Sequence, residues 1–149
     1  SVSPIMPQEI TITRSSVTNV KDADKERTMG RKYIVPYGLY RGHGYVSANL
    51  AGDETKGTGF SQEDLDLLFE ALVNMFENDR SASRMEMNAQ RLIVFKHATP
   101  LGNHHAQKLF DRVSVKPKDD IIVPRKFSDY NVSIDRENLP DGVSIIEKL

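Results

Sequence analysis

The sequence predicts an α+β domain with an antiparallel sheet. Two observations carry that prediction. Most apolar residues sit in short alternating runs between glycines, prolines and charged residues, the period-two signature of half-buried strands. Only one segment, between Leu65 and Phe76, is apolar at spacings of three and four. Strands gathered around one strong helix favour α+β architecture over a parallel, doubly wound one. With 149 residues, 38% of them hydrophobic, the chain is read as a single domain over 1–149.

The elements follow in order. Ile10, Ile12, Val17 and Val20 alternate loosely with Thr11, Thr13, Ser15 and Thr18, so Glu9 to Val20 predicts a strand with one solvated face. Residues 21–27 are almost entirely charged and cannot enter a core, so they predict a solvated tip or a mobile loop. Tyr33 to Tyr40 is strand-like but broken by Pro36 and Gly38. The two runs together describe a long out-and-back excursion. Tyr45 to Leu50 reads as a further alternating strand, and 51–59 as a glycine-bearing loop. Ser61 with Asp64 has the spacing of a capping box. It opens the helix whose stripe is Leu65, Leu68, Phe69, Leu72, Met75 and Phe76, ending near Asn78. Leu68, Phe69 and Leu72 are expected to be buried against the sheet.

Arg80 to Arg84 is a small, serine-bearing basic connection. Leu92 to Phe95 is a continuous apolar run, as in a strand buried on both faces. His105 to Phe110 predicts a short helix, Val113 to Val115 a strand, and 117–126 a charged loop. Tyr130, Val132 and Ile134 alternate as a strand, Val143, Ile145 and Ile146 as the last one, with Pro140-Asp141-Gly142 turning between them.

Composition excludes several classes. Cysteine is absent, so disulfide scaffolds, cysteine nucleophiles and thiolate metal sites are ruled out, and a reducing cytoplasm is compatible. No apolar run reaches the roughly 18 residues of a membrane span, and no secretory signal is visible. A first residue Ser1 in place of Met suggests a processed or excised piece.

The net charge of −1 conceals blocks. Residues 1–52 hold seven basic and four acidic groups, and 53–79 hold one basic and eight acidic. Residues 80–118 hold eight basic and two acidic, and 119–149 four basic and seven acidic. Such blocks form either a salt-bridged surface or a positive face able to meet phosphate.

Three functional classes compete. A metal-dependent hydrolase would draw on His104, His105 and Asp111, but no HExxH helix, GxSxG elbow or phosphate-binding glycine loop is present. Asp22, Asp24 and Glu26 alternate with Lys21, Lys25 and Arg27, which favours mutual neutralisation over cation binding. A protein-interaction domain without RNA contact is the second class. Nucleic-acid binding is the third. Arg14, Lys21, Lys25, Arg27, Arg31, Lys32 and Arg41 line the excursion, with Tyr33, Tyr37, Tyr40 and Tyr45 among them. Cations meet phosphate, and planar side chains meet unpaired bases. Arg80 and Arg84, flanked by Ser81 and Ser83, form a second basic loop.

Longer stretches sharpen the choice. Glu9 to Arg14 (EITITR), Arg27 to Gly44 (RTMGRKYIVPYGLYRGHG) and Phe76 to Arg84 (FENDRSASR) resemble the type I-C, Csd-type backbone subunit of the CRISPR Cascade complex, a member of the RAMP superfamily. Leu101-Gly102-Asn103, Lys108 to Val113 (KLFDRV) and Pro124 to Tyr130 (PRKFSDY) continue the resemblance in the same order. The family's opening strand and its glycine- and asparagine-rich motif are not in the sequence, so the chain resembles the C-terminal half.

The resemblance implies part of a ferredoxin-like, RRM-type antiparallel sheet with an extended β thumb, here about residues 14–40. It implies a non-catalytic, cytoplasmic subunit without cofactor or membrane contact. Its implied partners are CRISPR RNA, target DNA through guide pairing, copies of itself stacked head to tail, and other Cascade subunits. The implied RNA-binding set is Arg14, Lys21, Lys25, Arg27, Met29, Arg31, Lys32, Arg41, His43, Arg80 and Arg84. Of these, Arg31 with Lys32 and Arg80 with Arg84 are expected to face the guide backbone, and Met29 to sit beside a base.

Overall fold

The computed structural model describes residues 1–14, 21, 28–52, 55–80 and 86–149. Its elements are strands and short helices, an α+β arrangement. β1 (Gln8–Arg14) and β2 (Thr28–Ile34) pair antiparallel, with Gln8 opposite Ile34 and Arg14 opposite Thr28. β2 therefore begins earlier than the sequence pattern suggested and stops before Pro36, which has no N–H to give to a ladder. Residues 15–20, the end of the anticipated first strand, and 22–27, most of the anticipated tip or loop, lie outside the described residues.

The run expected as a strand from Tyr45 to Leu50 is instead extended chain entering a helical turn, α1 (Ala48–Gly52). The Ser47 hydroxyl accepts from the Leu50 N–H at 3.5 Å and its carbonyl from Ala51 at 3.3 Å, so a local side-chain cap competes successfully with the alternating pattern.

α2 (Gln62–Asn74) starts where the sequence placed it. The Ser61 hydroxyl accepts from the Asp64 N–H at 3.1 Å, and the Asp64 carboxylate accepts from the Ser61 N–H at 2.8 Å. Its apolar stripe corrects the sequence reading. No residue of α2 is buried; Leu68 is 37% exposed and Leu72 39%. Phe69 is half-buried, with the Lys148 ammonium 5.4 Å from its ring centre, beside an ion pair of Lys148 with Asp66 at 3.8 Å. Helical periodicity specifies an apolar face, not the surface that face meets.

The packed part lies further along. β3 (Ile93–His97) pairs antiparallel with β6 (Val143–Glu147), and β4 (Val113–Pro117) with β5 (Tyr130–Ile134). Among the described residues, strand pairing yields three two-stranded sheets. Among the described residues β3 has one partner, and its apolar side chains are half-buried, where its unbroken apolar run suggested burial on both faces. The short helix α3 (Ala106–Phe110) carries Leu109, the most deeply buried side chain at 1% exposure. Among the described residues, Val113, Tyr130 and Val143 complete the buried apolar set.

Hydrogen bonding explains two turns. Asn103 Oδ1 accepts from the N–H groups of Ala98 at 2.9 Å and Thr99 at 3.1 Å, while the Asn103 N–H donates to His97 Nδ1 at 2.8 Å. Asp129 is buried and accepts from the N–H groups of Arg125 at 2.7 Å and Lys126 at 3.1 Å. Among the described residues, no helix is long and apolar enough to cross a membrane.

Candidate nucleic-acid interface

In a two-stranded ribbon, residues directly opposite one another share a face, and successive residues alternate. The β1–β2 register therefore sorts the sequence candidates into two sets. Glu9, Thr11, Thr13, Met29, Arg31 and Tyr33 share one face; Gln8, Ile10, Ile12, Gly30, Lys32 and Ile34 share the other. Arg31 and Lys32, taken together in the sequence reading, point to opposite sides.

The first face is polar and aromatic. Met29 is 74% exposed and Tyr33 62%. One carboxylate organises it: the Tyr33 hydroxyl donates to Glu9 Oε2 at 2.9 Å, and Arg31 Nε lies 3.2 Å from Glu9 Oε1. Such an exposed ion pair contributes little stability, roughly 0–1 kcal/mol. Its consequence is geometric, because Glu9 holds a guanidinium and a phenol side by side, on the face that also carries Met29. The second face is apolar, with Ile10 and Ile12 partly exposed beside Ile34 and Lys32.

Arg41 has local partners. Its Nη1 donates to the Val113 carbonyl at 2.9 Å and its Nη2 to the Phe110 carbonyl at 2.6 Å. A cation there meets the negative end of α3 and ties residues 37–49 to the packed part. Other ties are the Ser3 hydroxyl against the Tyr130 hydroxyl at 2.6 Å, and Tyr37 against Tyr130 with ring centres 6.5 Å apart. Burial pushes the Tyr37 phenol above its ordinary pKa, and Tyr130 and Asp129 push the same way. Two residues beyond Arg41, His43 stacks on Phe110 with ring centres 4.0 Å apart and planes 17° apart.

Arg80 also makes local bonds: its Nη1 donates to the Phe76 carbonyl at 2.5 Å and to that of Asp79 at 3.2 Å. The acceptors of these two bonds are backbone oxygens. Lys21 is exposed. Lys25, Arg27 and Arg84 lie outside the described residues, as does the side chain of Arg14.

The hydrolase alternative gains nothing from the geometry. The His104 and His105 rings are 6.1 Å apart and tilted, and Asp111 accepts from Gln107 Nε2 at 3.0 Å. Among the described residues, no three His, Asp or Glu side chains converge on a metal position.

Sequence reasoning missed Glu9, which orients Arg31 and Tyr33. Its signal was its place opposite Tyr33, visible only once the register is known. It also missed Phe110, on which His43 and Tyr45 converge, since a helical phenylalanine ordinarily signals core.

No curated protein matches the chain. The family model of CRISPR-associated protein Cas7 matches residues 1–135, running from before β1 to just past the end of β5. That span takes in the ribbon, the Arg41 tie and most of the packed part, and through it the chain belongs to the Cas7 family of CRISPR-associated proteins, the backbone subunits of CRISPR effector complexes.

Proposed function

We propose that this chain is the type I-C, Csd-type form of that backbone, a non-catalytic cytoplasmic protein that grips CRISPR RNA and polymerises along it head to tail. In this reading its α+β body is part of a ferredoxin-like fold. The excursion of about 14–40 is the thumb, and target DNA and other Cascade subunits join through the guide and the filament. The observation that carries the reading is the asymmetry of the β1–β2 ribbon. One face offers Arg31, Tyr33 and Met29, a cation, a planar ring and a flexible apolar side chain. That combination suits a single strand, whose phosphates need positive charge and whose bases need apolar or aromatic surface. The other face offers Ile10, Ile12 and Ile34, which suits protein.

The two-faced ribbon makes the test sharper than a simple loss of charge. Phosphate contacts release counterions, so each one lost lowers the magnitude of the salt slope by about 0.7 for a single strand. Arg31→Ala should weaken binding to single-stranded RNA and flatten the slope by about that amount. Lys32→Ala, on the opposite face, should leave the slope nearly unchanged. Base preference should hold in both, because phosphate carries no sequence information. Equal effects of the two substitutions would show that the ribbon does not present one face to RNA. No RNA binding by the unmodified chain would favour the protein-interaction reading.

A further inference from the structure

The turn that leads out of β3 is closed by a histidine that can close it only without charge. We infer that His97 is a pH-sensitive latch, which holds the 97–103 turn shut while its imidazole is neutral and releases it on protonation. The inference goes beyond the proposed function and does not depend on it.

The bond is specific in its chemistry. The Asn103 N–H donates to His97 Nδ1 at 2.8 Å, so Nδ1 presents a lone pair and the ring proton sits on Nε2. An imidazolium carries a proton on both nitrogens and accepts no hydrogen bond. Turning the ring over does not help, since Nε2 is then equally a donor. Once the ring is charged, the Asn103 N–H loses its acceptor and two N–H groups face each other. His97 is half-buried at the end of β3, opposite Val143. The charged or titratable neighbours along the elements it meets are Lys96 on its own strand, Asp141 before β6 and His104 beyond the turn. Among the described residues none of them forms an ion pair or ring contact with His97. α1, which meets the turn through Asn49, carries no charged residue. No carboxylate therefore pairs with the imidazolium to offset the lost bond.

Several contacts depend on that closure. With its N–H held, Asn103 turns its Oδ1 back to the N–H groups of Ala98 at 2.9 Å and Thr99 at 3.1 Å. The Ala98 N–H is shared with the Gly142 carbonyl at 2.8 Å, at the entry to β6. Gly102, at φ of +89°, carries the chain past the ring, and its N–H donates to the Thr99 carbonyl at 3.0 Å. The Pro100 carbonyl accepts from Asn49 Nδ2 at 3.3 Å, which joins the turn to α1. Opening the turn thus loosens one end of the β3–β6 pair together with the attachment of α1.

The test is NMR on the full chain, labelled with nitrogen-15, between about pH 8 and pH 5, the range in which imidazoles ordinarily take up a proton. At the upper end, a scalar coupling between the Asn103 amide nitrogen and His97 Nδ1 should be carried across the hydrogen bond. The ring nitrogens should show the Nε2–H tautomer. As the pH falls the coupling should vanish. The amide protection factors of Ala98 and Asn103 should drop by about three- to tenfold, the size of one lost hydrogen bond. His97→Asn puts an uncharged carbonyl oxygen near the place of Nδ1 and should keep the protection at both ends of the range. His97→Ala should be open at both. The other three histidines stay in every variant. A pH dependence that persists unchanged in His97→Asn would belong to them and overturn the latch. An Nδ1–H tautomer at the upper end, or wild-type protection that stays constant across the range, would overturn it too. If His97→Asn is open throughout, the wild-type coupling and its loss with pH decide alone.

Discussion

The part of the chain from β3 to β6 and the part from β1 to α2 are built from equally clear patterns and end in different states. In the first, alternation is satisfied inside the chain. Leu109, Val113, Tyr130 and Val143 are buried, and cross-strand partners meet in register. In the second, the ribbon keeps Ile10, Ile12, Met29 and Tyr33 exposed, and α2 keeps Leu67, Leu68 and Leu72 exposed. An amphipathic pattern thus announces that a surface has an apolar side. Whether the same chain supplies the cover is a separate matter, decided by which elements can reach one another. Under the function proposed above, the unfilled faces are where RNA and neighbouring protein would be met.

The largest expected effect tests this contrast directly. Leu109→Ala removes a side chain at 1% exposure and leaves a cavity, and should cost about 2–5 kcal/mol in urea unfolding. Leu72→Ala, at 39% exposure, should cost about 1 kcal/mol or less, because much of that side chain already meets water. Similar losses at both positions would mean that α2 has an apolar cover within the chain, and the contrast would collapse.

The same contrast explains what was legible in the sequence. The capping box at Ser61 and Asp64, the strands around Val132 and Ile145, and the turn at Gly142 are local chemistry and could be read directly. The pairing of β3 with β6 and β4 with β5 is not local. Nor is the division of Arg31 and Lys32 between two faces, which follows from a register fixed by the partner strand. Arg41 was legible as a cation but not as a tie, because a guanidinium suits a phosphate and a helix-end carbonyl alike. Tyr45 to Leu50 was misread because alternation over six residues is weaker evidence than a serine positioned to close a turn.

A medium-sized effect belongs to the packed part. Gly142 has φ of +77°, and a Cβ there would lie 2.4 Å from Asn103 Nδ2. Asn103 cannot easily yield, since its Oδ1 accepts from two backbone N–H groups. Gly142→Ala combines left-handed strain with that clash and should cost about 1–3 kcal/mol. A neutral result in denaturant melts would show that the 97–103 turn shifts freely.

Tyr37 gives a pH signature for the tie between the two parts. Burial raises its pKa in the folded chain above the ordinary 10.0. The unfolded chain then loses this proton first, so it binds fewer protons than the folded chain as pH rises past that value. The contribution is fully present below the unfolded pKa and is lost as pH climbs towards the folded one. Wild-type stability should therefore fall more steeply above pH 10 than that of Tyr37→Phe. Parallel stability curves for the two proteins would remove Tyr37 from the tie.

The smallest effect falls on α2 and should leave the rest of the molecule untouched. Without buried side chains, this helix depends on its own ends, chiefly the reciprocal bonds between Ser61 and Asp64. Those bonds also hold the Asp64 carboxyl below its ordinary pKa. The cap's benefit is thus present above that ordinary value and is lost as pH falls through the lowered one. Ser61→Ala removes the side-chain acceptor and the hydroxyl that donates to the Asp64 carboxylate, the lesser cause of its lowered pKa, while the backbone N–H, the larger cause, remains. It should reduce helical circular dichroism at neutral pH and weaken the acid dependence of what remains. The urea midpoint of the packed part should not move, since β3–β6 and β4–β5 take no hydrogen bond from the cap. A shift of that midpoint in step with the lost helicity would show that α2 and the packed part unfold as one unit, and that the open faces of the chain are less independent than their exposure indicates.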